Sequence, residues 1–206
     1  MKKSLILLAG YPATGKTYLA NKIIERHPGC FAYITPDDMK EQVWDEVGFN
    51  DADDKAAVEL LIWKRFYSGL AIYMEDERPI ISDYPFSDKQ KASLIELSER
   101  YGYSVLTVRL VGDPEIIYKR SLSRDLDPSR HLGHLVTRYH RGDVLEDRSK
   151  ADGLVTMDIL IDRCKHKGYD KFQLGELIEV DATDVKKIDY PALLDKIDAF
   201  LAKDGE

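Results

Sequence analysis

Ser4-Leu-Ile-Leu-Leu-Ala-Gly-Tyr-Pro-Ala-Thr-Gly-Lys-Thr17 decides the fold. Its first six residues form an apolar run of strand length, and Gly10 to Thr17 spell G-x-x-x-x-G-K-T directly after it. Backbone N–H groups reach phosphate oxygens only where side-chain bulk is absent, so Gly10 and Gly15 are expected to let Tyr11-Pro12-Ala13-Thr14 wrap a triphosphate. Lys16 would set a point charge on the β and γ phosphates. Thr17 would ligate Mg²⁺ at the N-terminus of a helix whose dipole also favours anions. The motif needs a helix after it, and Tyr18 to Arg26 place Leu19, Ile23 and Ile24 at helical spacing. ATP and Mg²⁺ are the ligands this pattern implies. A Gly-rich turn that binds nothing is the bland alternative.

A chain of 206 residues fits one domain, taken here as 1–206, with no repeat, low-complexity segment or linker to divide it. Two cysteines, Cys30 and Cys164, match no metal-ligand spacing and make no disulfide framework, which favours a reducing cytoplasm. The start Met-Lys-Lys-Ser is followed by too short an apolar run for a signal peptide, and no stretch approaches the length needed to cross a bilayer. A formal net charge of −7 argues against extended duplex nucleic-acid binding and leaves room for a small basic cleft.

His27-Pro-Gly29 should stop the first helix. Cys30 to Thr35 then reads as a second strand that delivers Asp37 and Asp38 at its carboxyl end, where open α/β sheets place ligands. Helices are expected from Met39 to Val47 and from the acidic start Asp51–Asp54 to about Glu75, the latter filled by Leu60, Leu61, Trp63, Phe66, Tyr67, Leu70 and Tyr73. That aromatic stripe is core or the wall of a substrate pocket. Arg78 to Asp83 is a third strand with a carboxylate where the apolar run stops, a position suited to holding Mg²⁺ or its water shell. A helix over Asp88–Tyr101, a strand over Tyr103–Val111, a helix over Asp143–Lys167, a strand over Glu176–Asp181 and a helix over Tyr190–Leu201 complete the pattern. Alternating strands and helices predict an α/β fold: a parallel sheet covered on both faces.

Asp113 to Arg141 is locally basic and holds Arg120, Arg124, Arg130 and the histidines 131, 134 and 140. It reads as a lid that closes cations over a transferring phosphoryl group, or as solvated helices with scattered charge. His131, His134 and His140 are weak zinc candidates without a matching Cys or Glu-bearing helix motif, and contact with substrate or phosphate, or plain structural use, is the better expectation.

With Gly10–Thr17, Asp37, Lys40, Asp83, Arg120 and Arg124 in hand, the chain resembles the phage and bacterial 5′-hydroxyl polynucleotide kinases. More loosely it is similar to the P-loop kinases that include zeta toxins, gluconate kinases and chloramphenicol phosphotransferase. The resemblance implies a P-loop NTPase fold with a five-stranded parallel sheet, a basic helical lid over about 113–141, and adenine near Asp181-Ala-Thr183. It implies that Asp37 is the base toward an acceptor hydroxyl, that Arg124 stabilises the transferring phosphoryl, and that Arg120 belongs to the nucleotide site. The Arg-Asp-Asp-x-x-Arg segment of those kinases is here Pro36-Asp-Asp-Met-Lys40, and Lys does not reproduce bidentate phosphate gripping. Asp38, Lys40, Arg130, His131 and His134 are the expected acceptor contacts, with Asp38 also able to cap the helix starting near Met39. The functional expectation is an ATP-dependent kinase acting on an alcohol of a small molecule or of a 5′-hydroxyl nucleic-acid end. The alternative is a nucleotide-driven ATPase or switch, but Asn21-Lys22 sits inside the first helix rather than in N-K-x-D, and the third strand ends Ser82-Asp-Tyr84 rather than Asp-Glu.

Overall fold

The computed structural model describes residues 2–203. In chain order these form β1 (Ser4–Gly10), α1 (Lys16–Arg26), β2 (Ala32–Tyr33), α2 (Pro36–Val47), α3 (Ala52–Glu75) and β3 (Ile80–Asp83). The chain continues through α4 (Asp88–Tyr101), β4 (Ser104–Val111), α5 (Pro114–Leu126), α6 (Met157–His166), β5 (Glu176–Asp181) and α7 (Tyr190–Ala202). The strands make one sheet in the order β2-β3-β1-β4-β5, with every pairing parallel.

All seven residues of β1 are buried, and their alternation organises both layers. Ile6 and Leu8 pack with Leu19 and Ile23 of α1 and with Leu193 and Ile197 of α7. Leu5, Leu7 and Ala9 pack with Phe66, Leu70 and Met74 of α3 and Leu94 of α4. A strand buried on both faces has no polar face to offer solvent, which is why its sequence reads as a continuous apolar run. The expected five-stranded parallel sheet with helices on both faces is the fold observed.

Register then sets the cleft. Leu8 pairs with Asp83 and Gly10 with Leu110, so the loop after β1 emerges between the carboxyl ends of β3 and β4. The two loop glycines serve different needs. A Cβ on Gly10 would lie 1.9 Å from the Leu110 carbonyl oxygen, so this residue is required by the neighbouring strand. Gly15 has open space beside it, but its φ of +88° is the left-handed conformation that L side chains rarely adopt.

Four expectations need correction. The apolar run from Cys30 yields only two ladder residues, because α2 already begins at Pro36. The Thr35 side chain accepts from the Asp38 N–H and caps α2, so Asp38 is not the cap. Asp143–Lys167 is helical only over α6. Before it, Asp143 accepts from the His140 N–H, Asp147 from Ser149 and Asp152 from the Thr137 N–H, local bonds that compete with a helix. Leu60, expected inside α3, is 76% exposed.

Beyond α5 the basic segment is irregular apart from a 3₁₀ turn, Leu132–His134, and it is docked on α2 and α3. Phe49 and Tyr139 form an antiparallel bridge. Lys55 of α3 donates to the carbonyls of Gly133 and Val136 at 2.8 and 2.9 Å. Its ammonium sits over the rings of Phe49 and Trp44.

Gly10→Ala is expected to cost more than about 3 kcal/mol, because backbone must move in a close-packed sheet. Gly15→Ala should cost only about 1–2 kcal/mol, the strain of a left-handed φ without a clash. Denaturant unfolding of both variants checks the order, and equal costs would remove the distinction between the two glycines.

Candidate functional site

Because β1 ends at Gly10 and α1 starts at Lys16, five residues must turn the chain through nearly a full reversal of environment, from sheet to helix N-terminus. Ala13 and Gly15 take positive φ to do so. Among the described residues, the N–H groups of Ala13, Thr14, Gly15, Lys16 and Thr17 find no backbone acceptor. Such inward, unpaired donors at a helix start form an anion site. The Thr14 hydroxyl and the Lys16 ammonium both donate to the Tyr11 carbonyl, at 2.8 and 2.6 Å. Burial pulls the Lys16 ammonium down to about 8 even though Asp83 and Asp37 favour its charge.

In the first turn of α1, the Thr17 hydroxyl donates to Asp83 Oδ2 at 2.7 Å, and the Tyr33 hydroxyl of β2 donates to Asp83 Oδ1 at 2.7 Å. Asp83 is buried at the end of β3. Burial, and then the Asp83 charge, push the Tyr33 phenol far up, so it remains a donor. Hydroxyl and carboxylate oxygens are the hard donors Mg²⁺ prefers. Among the described residues no group of three or more His, Cys, Asp or Glu is placed to hold a metal. This fits Mg²⁺, which is commonly held by one or two carboxylates together with substrate phosphates.

Across the cavity, the first turn of α2 presents Asp37. Lys40 Nζ lies 3.8 Å and Arg130 Nη2 3.5 Å from its oxygens. Burial raises the Asp37 carboxyl, but Lys40, His134, Arg130 and Arg124 outweigh it and hold the group at about 2. Lys40 also donates to the Tyr84 hydroxyl at 2.8 Å, and its ammonium lies 4.6 Å from that ring's centroid. Despite burial, Tyr84 and Asp37 raise the Lys40 ammonium well above its usual range.

Helix α5 brings the two expected arginines. Arg124 donates to Asp125 Oδ1 at 2.7 Å, and Arg120 donates to the carbonyls of Ala182 and Thr183, each at 2.5 Å. Arg120 therefore fixes the loop after β5 while also lining the cavity. His134 lines the cavity and donates to Glu41 at 2.8 Å; burial outweighs that carboxylate and lowers its pKa. His131 is placed elsewhere. It donates to Asp45 at 3.1 Å and packs beside Trp44 and Tyr139, off the main cavity, because its Nδ1 is taken by the Gly133 N–H within the 3₁₀ turn. Asp38, in the same turn as Asp37, does not line the cavity either.

The assembled cavity is about 560 Å³ and joins Lys16, Thr17 and Asp83 to Asp37, Lys40 and Arg124. The sequence from residue 5 to residue 139 matches AAA_33, an AAA domain family. The chain belongs to that family. The match contains the phosphate loop, Asp37, Asp83, Arg120, Arg124 and Arg130, so this AAA-family segment holds most of the cavity, while α6 lies beyond it. No curated protein matches the chain. Among solved structures it is similar to a candidate kinase from Chloroflexus aurantiacus, with TM-score 0.73 and 23% identity over 97% of this chain and 98% of that one. It is similar to the Deinococcus radiodurans tunicamycin resistance protein, with TM-score 0.54 and 18% identity over 98% and 96%. It is also similar to a shikimate kinase from Bacteroides thetaiotaomicron, with TM-score 0.52 and 17% identity over 97% and 99%. This AAA-family chain shares its α/β P-loop fold with these solved structures.

Several residues of the site lie outside the motif reading. Tyr33, which bonds Asp83 without lining the cavity, lies two residues before Thr35, and Tyr84, which lines it, directly follows Asp83. Arg163 and Lys167 enter from α6 and the residue after it. Their i, i+4 spacing was a visible signal of one cationic helix face.

Asp83→Asn is expected to raise the Mg²⁺ concentration needed for nucleotide binding, and Tyr33→Phe should do so more weakly because it removes only one orienting bond. Metal titrations read by calorimetry test this; wild-type curves for Asp83→Asn would make the residue structural. A second expectation concerns pH. Asp37 is held below its unfolded value of 3.8, so its contribution to stability is present above about pH 4 and is lost as pH falls toward 2. Asp37→Asn should flatten that part of the stability profile, measured by denaturant unfolding between pH 4 and 2.

Proposed function

We propose that this chain is an ATP-dependent phosphotransferase that moves the γ-phosphoryl group of Mg·ATP to an alcohol hydroxyl of a small molecule or of a 5′-hydroxyl nucleic-acid end. The observation that carries the reading is the placement of an ionised, cation-bound carboxylate, Asp37, in the same cavity as a loop of unpaired N–H donors. A nucleotide-binding module needs the loop. It does not need a second carboxylate facing it from another helix.

In this reading the loop N–H groups and Lys16 hold the β and γ phosphates, phosphate oxygens taking the place of the Tyr11 carbonyl as acceptor. Thr17 and Asp83 hold Mg²⁺, which when bound neutralises charge on the β and γ phosphates. Arg120 secures the loop after β5 at the nucleotide side. Arg124 meets charge on the transferring group. Asp37 accepts a hydrogen bond from the acceptor hydroxyl and orients its oxygen for in-line attack, so that a new O–P bond forms as the bond to ADP breaks. A carboxyl at about 2 is a poor proton acceptor while its neighbouring cations surround it. Two of the cations that depress it, Arg130 and Arg124, are the ones incoming phosphate would draw away, and Asp37 then becomes the stronger base that takes the hydroxyl proton. A transition state with little bonding to the acceptor suits late proton loss. No helix among the described residues is long and apolar enough to cross a membrane; action in the cytoplasm is part of this proposal.

Asp37→Asn should lower transfer by roughly 10²–10⁴ while leaving ATP affinity nearly unchanged, the usual contribution of a positioned base. Lys16→Ala should instead weaken Mg·ATP binding itself. Arg124→Ala should lower kcat more than it raises KM for ATP, as expected of a group that acts on transition-state charge. Measuring ATP binding separately from phosphoryl transfer to a panel of alcohols tests all three. ATP turnover that no alcohol accelerates, with Asp37→Asn neutral, would leave an ATPase or switch as the better account.

A further inference from the structure

The catalytic cavity does not end at Tyr84. Tyr84, Pro85, Glu59, Lys167 and Tyr169 also line a second cavity of about 400 Å³ that runs between α3 and the start of α4. This groove carries Trp63 and Tyr67 from α3, packed ring to ring with centroids 5.7 Å apart and planes 29° from parallel. Trp63 also meets Tyr84 edge-on at 5.4 Å. The stripe on α3 is thus divided: Phe66 and Leu70 face the core, while Trp63 and Tyr67 remain part-exposed and line the groove. Aromatic walls with room for one small molecule suit a ring that stacks on them.

Charge around the groove is the second, independent observation. Arg163 lines the cleft, Lys89 lines the groove and Lys167 lines both. Arg124 and Arg130 are engaged by Asp125 and Asp37. By contrast, Arg163, Lys167 and Lys89 have no salt-bridge partner among the described residues, with Glu59 the one carboxylate lining the groove beside them. The Lys167 ammonium is pulled down by burial and then by the nearby charges of Arg163 and Lys89, which Glu59 offsets only in part.

Resting on the phosphotransferase reading, we propose that the acceptor is an anionic alcohol with a flat ring, the ring lying on Trp63 and Tyr67 and the acidic group meeting Lys167 and its neighbouring cations. Its hydroxyl then points back past Tyr84 toward Asp37. The acidic group is a carboxylate or a phosphate ester, chemistry that a small acid and a nucleotide end share.

The test is calorimetric binding with the nucleotide site saturated by Mg²⁺ and a non-hydrolysable ATP analogue. Four ring probes separate the terms: 4-(hydroxymethyl)benzoate against 4-(hydroxymethyl)benzamide, and thymidine 3′-monophosphate against thymidine. 6-Hydroxyhexanoate supplies the charge without the ring. At least one ring anion should bind tenfold or more tightly than both its neutral counterpart and the linear acid, and which pair shows the gap tells carboxylate from phosphate. Lys167→Ala should erase the gap, Trp63→Ala should weaken binding of that ring anion at least tenfold, and Trp63→Phe should restore most of it. Equal binding of charged and neutral rings, binding unchanged by Lys167→Ala, or no binding of either ring anion would overturn the proposal. Failure of the ATP analogue to bind would instead strike the phosphotransferase reading.

Discussion

Parallel pairing of β1 with both of its neighbours fixes where every functional side chain of the cleft lies. With Leu8 opposite Asp83 and Gly10 opposite Leu110, the phosphate loop leaves the sheet between two strand ends, and Thr17, in the first turn of α1, falls within 2.7 Å of the Asp83 carboxylate. A slip of one residue along β1 would turn its apolar side chains to the wrong layers and carry the loop off the carboxylate together. Core packing and site geometry are therefore set by the same register.

The cleft is held together by its own charges. Asp37 takes Lys40 and Arg130, Arg130 also reaches Glu41 at 3.7 Å, and Asp125 takes Arg124. Each carboxylate thus keeps a phosphate-directed cation in place and solvates it, at the cost that an incoming anion must compete for it. Such a network keeps several like charges close without forcing them apart, and it makes the electrostatic field of the site depend on which partner each cation holds.

Much of this was legible from residue order. The loop, the bounds of α4, the strand β5 and a parallel sheet follow from patterns that are local: apolar runs, Gly stops and helical spacing; the count of five strands came with the family resemblance. The pairing of Thr17 with Asp83 was also within reach, because both sit at the carboxyl ends of buried strands or just beyond. What escaped was decided by contacts far apart in sequence. Nothing near Tyr33 signals that its hydroxyl will meet Asp83, and nothing in Arg163 or Lys167 says that α6 closes over the cleft. The false helix before α6 had the right composition, but its aspartates found turn N–H groups instead of helix positions. His131 looked like a site residue until the 3₁₀ turn gave its ring a partner on each nitrogen.

Lys55 deserves a mechanical reading. From α3 it grips two carbonyls of the segment after α5, while Glu41 and Asp45 of α2 hold the histidines of that same segment. The segment is thereby riveted to the helix pair rather than hung from the sheet. The helix pair and this segment therefore pack as one unit. Asp37, Arg130 and His134 all belong to it, so their mutual spacing is set by contacts within that unit and not by the sheet.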